Sequence, residues 1–182
     1  MTIGIDKIGF ATSPYVLRLE DLAAARDTDP EKLSKGLLLK EQSVAPITED
    51  IVTLAATAAD DILTDEDKEA IDMVILATES GIDQSKAAAV FVHDLLDIQP
   101  FARSFEMKEA CYAATAALDY AKLHVEKFPQ SKVLVIASDI AKYGIGTPGE
   151  PTQGAGAVAM LISHNPRILS FNDDNVAQTR DV

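Results

Sequence analysis

The single thiol, Cys111, and the carboxyl group of Glu79 are the side chains whose types and settings suit acyl chemistry. Cys111 lies in Phe105-Glu106-Met107-Lys108-Glu109-Ala110-Cys111-Tyr112-Ala113-Ala114-Thr115, where a strand-like run gives way to an alanine-rich helix. A thiol at a helix N-terminus faces unpaired backbone N–H groups and the positive end of the helix dipole, and both favour the thiolate. The same N–H groups can hold the oxygen of a thioester or a tetrahedral intermediate. Cys111 therefore reads as a nucleophile that carries an acyl group, or alternatively as a small buried hydrophobe. Glu79, in Thr78-Glu79-Ser80-Gly81, follows the apolar run Met73 to Ala77. The carboxyl ends of strands form the edge of an α/β sheet where sites collect. A carboxyl group held there in low-dielectric surroundings suits general acid and base work; a helix-capping or solvated loop carboxylate is the alternative. Both residues occupy strand-to-helix junctions of two crossovers, so both face one edge, and that shared edge makes the pair a candidate site.

A third feature is the stretch from Gly144 to Ala157, rich in Gly and Pro. Its Gly spacing is wrong for a dinucleotide fingerprint, and no Gly-Lys-Ser/Thr phosphate loop appears. It reads as a turn-rich lip beside the site, or as a plain connection. The three histidines, His93, His124 and His164, fall in two helices and a turn, which suits structural or solvated roles. No Cys/His spacing suggests a metal, and no Gly-x-Ser-x-Gly is present.

The elements that must position these residues alternate between strand and helix. Strands are expected over Ile3 to Ala11, Ile71 to Ala77, Phe101 to Phe105, Lys132 to Ala137, Gly154 to Ile162 and Arg167 to Phe171. Helices are expected over Leu19 to Arg26, from Pro30 with Asp29 as N-cap, and from Thr48, as half of a capping box, to about Leu63. Two more run from Asp83 to Leu96 and from Ala110 to Phe128. Near-continuous apolar strands alternating with helices imply an α/β sheet covered on both faces. The last two strands, joined only by the turn Ser163-His164-Asn165-Pro166, should make an antiparallel edge. The polar run from Asn172 to Val182 reads as a chain cut in a loop.

The bulk numbers narrow the classes. With 182 residues, the chain fits one domain or one half of a larger enzyme. At 47% hydrophobic and 25% charged it can bury a core. A net charge of −13, with no basic cluster, argues against nucleic acid. No apolar run approaches the roughly 20 residues of a membrane span, and no signal peptide is evident. One cysteine gives no sign of an oxidising compartment. The acidity fits solubility in a cytoplasm.

The segments Met1 to Ile8, Ala77 to Ser80, Phe101 to Ala113, Ala137 to Gly144 and Gly149 to Ala157 together resemble those of the bacterial hydroxymethylglutaryl-CoA synthases, members of the thiolase-fold condensing enzymes. The resemblance implies a thiolase-like α/β fold, with a mixed five-stranded sheet and helices on both faces, one half of the five-layered αβαβα arrangement. It implies a ping-pong condensation of acetyl-CoA with acetoacetyl-CoA in the mevalonate route to isoprenoids. Cys111 would take the acetyl group, and Glu79 would be the acid and base. Tyr143 and Thr152 match positions lining the family's acyl pocket, and Asp29 one near its CoA entrance. Coenzyme A thioesters would be substrates, with no separate cofactor and no metal, and the enzyme would be a homodimer. This chain departs from the family at Lys35 to Gln42, where a Gly-Ile-Gly-type stretch is usual. It also stops before a second half that would supply a catalytic His, so residues 1–182 read as the N-terminal half. Two alternatives stand beside this reading: a ketoacyl synthase III-like enzyme using an acyl carrier, and an incomplete fragment with only an acyl-transfer or interaction role.

Overall fold

Branched apolar side chains at successive positions leave no polar face, so the strands that carry them must be covered on both sides. In a computed structural model describing residues 2–174 and 176–180, two such runs, β4 (Ile71–Ala77) and β6 (Lys132–Ile140), lie parallel at the centre of a sheet. β5 (Arg103–Met107) pairs parallel with the other side of β4. β7 (Ala155–His164) runs antiparallel to β6, β1 (Ile3–Thr12) antiparallel to β7, and β8 (Leu169–Ser170) antiparallel to β1. The order is β5-β4-β6-β7-β1-β8. The expected mixed sheet of five long strands is thus present, and β8 adds two residues at its edge.

Period-two alternation divides the core. Val74, Leu76, Leu134 and Ile136 point toward α3 (Ile51–Asp60) and α5 (Ala88–Leu95). Met73, Ile75, Val133 and Val135 point toward α6 (Ala113–Lys127). Ala55, Ala58 and Ala59 of α3 are fully buried. Their small size lets α3 lie so close to β1 that a Cβ on Gly9 would stand 2.4 Å from the Ala58 carbonyl oxygen. α1 (Leu19–Ala25) and α2 (Pro30–Leu37) form a layer beside the sheet, and α2 is capped by Asp29 as expected.

Several expectations shift. The cap of α3 is Asp50, not Thr48: its carboxylate accepts from the amides of Val52 and Thr53, and the Thr53 hydroxyl accepts from the Asp50 amide. Asp83 closes a turn onto Ser85 and Lys86 instead of starting a helix, so α5 begins at Ala88. α6 begins at Ala113, two residues beyond Cys111. β5 starts at Arg103 because Gln99 ties the preceding turn, accepting from the Phe101 amide and donating to Ile71 O. β7 and β8 do not pair: Asn165, at φ +52, turns the chain so that β1 lies between them. The short charged α4 (Asp65–Ala70) and the antiparallel pair of β2 (Tyr15–Arg18) with β3 (Glu41–Val44) had no apolar period to announce them. In the polar tail, Asn175, Asp181 and Val182 lie outside the described residues.

The amino-terminal edge of the sheet is held by buried charge. Asp67, almost wholly buried, accepts from Lys132 Nζ at 2.7 Å, from Lys7 Nζ, and from the Thr64 amide and hydroxyl. Burial alone would raise its carboxyl, but Lys132, Lys7 and Thr64 together hold it well below the usual carboxylate range. A depressed folded pKa gives stability that is complete above the unfolded value near ~4 and is lost as pH falls below it. Asp67→Asn should therefore destabilise the chain by about 3 kcal/mol at neutral pH. In urea titrations the difference from the unsubstituted chain should shrink steadily below about pH 4.

Candidate active site

Because β4, β5 and β6 run parallel in register, Ala77 opposite Met107 and Ala137, their carboxyl ends reach one edge together. Thr78-Glu79-Ser80 leaves β4 there, Lys108 to Cys111 leaves β5, and Asp139 to Tyr143 leaves β6. The antiparallel β7 enters from the same edge after Gln153 and Gly154. The Thr78 amide donates to Met107 O at 3.1 Å and ties the first two connections together.

The loop bearing Glu79 is organised by a residue that sequence reasoning passed over. Asp139 Oδ1 accepts from the Thr78 hydroxyl (2.8 Å), the Glu79 amide (2.8 Å), the Ser80 amide (3.1 Å) and the Ser80 hydroxyl (2.6 Å). The Ser80 hydroxyl in turn accepts from the Ile140 amide at 3.1 Å. One carboxylate at the end of β6 thus fixes three consecutive residues after β4, and a single acid in an otherwise apolar strand was the available signal. Glu106 does a similar service from β5. It accepts from the Ala88 amide at 2.9 Å, and its other oxygen sits where a Cβ on Gly81 would come within 2.7 Å.

Cys111 is exposed and directly precedes Tyr112, the N-cap of α6. No side chain caps that helix, and its first amides bond within the turn that bears the thiol: Tyr112 N–H donates to Glu109 O at 3.0 Å and Ala113 N–H to Ala110 O at 3.3 Å. Ala110 has φ +43, a left-handed conformation that costs a non-glycine residue about 1 kcal/mol. Tyr143 stands between the two candidates. Its hydroxyl donates to Glu79 Oε1 at 3.4 Å. Its pKa is raised by partial burial first, then by the charge of Glu79, and further by Cys111, against an opposing hydrogen bond with Gln153. Glu79, Cys111 and Tyr143 are therefore brought together: a thiol, a carboxylate and a hydroxyl at the mouth of an uncapped helix. That set can accept an acyl group, move a proton and hold an oxygen.

Thr152 lies close by, in a cavity of about 390 Å³ that it lines with Asp139, Gln153 and Gln42. Its hydroxyl is spent locally, donating to Gly149 O at 2.7 Å. Asp29 is not brought to the thiol. Its carboxylate accepts from the Glu31 amide, one residue from Thr28, which borders a groove of about 610 Å³. That groove runs between α1–α2 and the lip at Gly146 to Pro151. Arg26 crosses it to hold both oxygens of Glu150, at 2.9 and 2.7 Å. Arg26, then the Gly146 amide, pull the Glu150 carboxyl down to about 2. His93 binds Gln99 O, His124 faces Asp72 and Ser131, and His164 ends β7 at the far side of the sheet opposite Ile3, so none stands at this edge. Among the described residues no group of three or more His, Cys, Asp or Glu side chains could hold a metal ion. None of their helices is long and apolar enough to cross a membrane.

Comparison with known proteins bears on this arrangement. Residues 2–167 match the family model described as hydroxymethylglutaryl-coenzyme A synthase N terminal. A hydroxymethylglutaryl-CoA synthase of Enterococcus faecalis is 62% identical over 182 residues, covering 100% of this chain and 48% of that protein. A 3-hydroxy-3-methylglutaryl-ACP synthase of polyketide biosynthesis from Bacillus subtilis is 34% identical, covering 94% of this chain and 44% of that protein. A crystal structure of an HMG-CoA synthase complexed with CoA superposes with a TM-score of 0.98 at 72% identity, covering 100% of this chain and 47% of that one. The chain spans about half the length of the curated relatives it matches.

Asp139→Ala removes the acceptor from four donors at once. Amide exchange at Glu79 and Ser80 should then quicken by at least about tenfold, as each loses a hydrogen bond to a charged acceptor worth ~1.5 kcal/mol or more. Asp139→Asn, which keeps one oxygen, should show a smaller change. Equal protection in all three proteins would mean that the loop is held by other means.

Proposed function

The chain belongs to the hydroxymethylglutaryl-CoA synthase family, and from that premise we propose that it is the N-terminal half of an enzyme condensing acetyl-CoA with acetoacetyl-CoA. The observation that carries the reading is the meeting of Cys111, Glu79 and Tyr143 at the carboxyl edge of neighbouring strands. The Cys111 thiolate attacks the acetyl carbonyl, the carbon–sulfur bond to coenzyme A breaks, and free CoA leaves. Amides at the start of α6 hold the developing oxyanion. Glu79 then takes a proton from the acetyl methyl group. The resulting carbanion adds to the ketone carbon of acetoacetyl-CoA, and the new alkoxide recovers the proton. Water finally cleaves the Cys111 thioester, leaving a free carboxylate and the thiol. Tyr143 and Thr152 border the acyl pocket, with the Tyr143 hydroxyl holding the Glu79 carboxylate. The groove beside α1 and α2, with Lys32 on its wall and Asp29 near its mouth, suits the coenzyme arm. The condensation supplies the mevalonate route, and its place is the cytoplasm.

The covering of the sheet supports the view that a second half belongs here. A bulge between Ile5 and Lys7 turns Ile8 and Phe10 toward the face that α6 covers only in part. Phe10 is 74% exposed there, and Leu123 on α6 is 63% exposed. An apolar face of this kind marks an interaction surface. The second half of the relatives would cover it and bring the His that positions acetoacetyl-CoA. At the other side of the molecule β5 is an open edge, where a buried Ser104 hydroxyl lacks a partner. Pairing of two such edges would form the homodimer.

Incubation with acetyl-CoA followed by intact-mass measurement tests the nucleophile. One acetyl group should appear on the chain and be absent from Cys111→Ala. Glu79→Ala should still be acetylated, yet with the second half added its release of hydroxymethylglutaryl-CoA should fall at least ~100-fold. Loss of acetylation in Glu79→Ala would contradict the role given to that carboxylate. The division of labour between halves has its own check: with acetyl-CoA and acetoacetyl-CoA both present, release of CoA from acetyl-CoA should rise when a separate chain carrying the second half is mixed in.

A further inference from the structure

Glu150 is the point at which the glycine-rich lip is fastened to another layer of the molecule. Within the lip the bonds are short in range: the Thr147 amide and hydroxyl donate to Gly144 O, the Glu150 amide to Thr147 O and the Thr152 amide to Gly149 O. Among the described residues, the hydrogen bonds that join residues 144–152 to another element are those of Glu150 with Arg26. Glu150 Oε2 accepts from Arg26 Nε at 2.9 Å and from the Gly146 amide at 2.8 Å, and Oε1 accepts from a terminal Arg26 nitrogen at 2.7 Å. Arg26 is itself fixed. It closes α1, its amide donating to Leu22 O at 3.0 Å, and Leu19 and Leu22 anchor that helix in the core. A forked guanidinium on a carboxylate sets direction as well as distance.

What the fastened lip rests on is Tyr143. A Cβ on Gly149 would stand 3.0 Å from both Cβ and Cγ of Tyr143 and 3.2 Å from its Cδ2. Gly149 does not have the left-handed φ that Gly146 has, so its lack of a side chain serves this close approach. The ring beneath Gly149 carries the hydroxyl that donates to Glu79 Oε1 at 3.4 Å, and Gln153, just past the lip, bonds to the same phenol. A continuous path of contacts therefore runs from α1 through Arg26, Glu150, Gly149 and Tyr143 to Glu79.

An ion pair near the surface adds little to stability, and this one bridges a groove without entering the core. Its service is positional. A glutamate turns about several single bonds, and a donor held at its carboxylate narrows the places that carboxylate can occupy. A shift of about 1 Å in a reacting group can cost ~100-fold in rate. Building on the proposed condensation, we infer that Glu150 is a positioning residue: held by Arg26, it seats Gly149 on the Tyr143 ring and keeps the phenol against the Glu79 carboxylate that moves the proton.

Two measurements on the chain with its second half added test this. The first needs no substrate and follows ionisation of the Tyr143 phenol, read as the tyrosinate absorbance that Tyr143→Phe lacks. Partial burial and the charge of Glu79 raise that phenol, so in Glu150→Ala, where the lip is released, it should titrate closer to an ordinary tyrosine. Glu150→Gln, which can still accept from Arg26 and the Gly146 amide, should lie between. In the second, kcat for hydroxymethylglutaryl-CoA formation should fall about tenfold in Glu150→Ala, part of the cost of a misplaced reacting group. It should recover partly in Glu150→Gln, and the urea midpoint should change little. Gly149→Ala, a change outside the groove wall, should lower kcat at unchanged KM. A phenol that titrates alike in the unsubstituted protein and both Glu150 variants, or a raised KM at unchanged kcat, would overturn the assignment and leave Glu150 a wall of the groove. If no protein forms product, the condensation reading fails, and the phenol titration alone decides whether Glu150 positions Tyr143.

Discussion

When two strands run parallel, the chain must climb back over the sheet between them, and the connection leaves from one edge and returns at the other. β4 is parallel to both of its neighbours, so this constraint applies twice around one strand. It places α5 on one face and α6 on the other, and it brings the segments after β4, β5 and β6 to a common edge. The antiparallel addition of β7 then feeds a fourth segment into that edge from the opposite direction. The proximity of Glu79, Cys111 and Tyr143 follows from this pairing, although 64 residues separate the first and the last.

Pairing sets the strands to within a residue, but a site needs its loops fixed more finely. Asp139 supplies that refinement. A carboxylate at the end of the central strand converts three free amide and hydroxyl donors of the neighbouring loop, and a fourth, into partners of one oxygen. The Glu79 side chain is consequently carried on a backbone that has little freedom. The thiol is carried differently. Cys111 follows a strained Ala110 and precedes a helix without a side-chain cap, in a turn closed by backbone bonds from Tyr112 to Glu109 O and from Ala113 to Ala110 O. One residue is held by a distant carboxylate, the other by the backbone of its own turn.

Much of this was legible in residue order because the strongest signals are local. Ile71 to Ala77 and Lys132 to Ile136 declare themselves as buried strands, and Asp29-Pro30 declares the start of α2. The common edge of Glu79 and Cys111 followed from the alternation of strand and helix. What stayed hidden depends on partners distant in the chain or on competition between neighbours. Asp139 looks like an interruption of a strand until the loop some sixty residues earlier is laid beside it. Asp50 outcompetes Thr48 for the α3 cap because Thr53, three residues on, can reciprocate. The antiparallel pair of β2 and β3, separated in the chain by α1 and α2, is made of short, mostly exposed strands, and its seat on Gly154 is a tertiary contact.

The two edges of the sheet divide stability from chemistry. At the amino-terminal edge, Asp67 gathers Lys7 and Lys132, His124 and Ser131 meet Asp72, and Arg167 binds Asp6 through both carboxylate oxygens. The carboxyl edge has an exposed cysteine, a left-handed alanine and a glycine-rich lip. The bidentate ion pair of Arg26 with Glu150 spans the groove instead of sealing the core. Groups that will bind a substrate cannot also be saturated by the fold, so unsatisfied donors, acceptors and strain concentrate where ligands arrive. At the opposite edge Asp67, Asp72 and Asp6 each meet partners, and that edge carries ion pairs where the carboxyl edge carries the thiol.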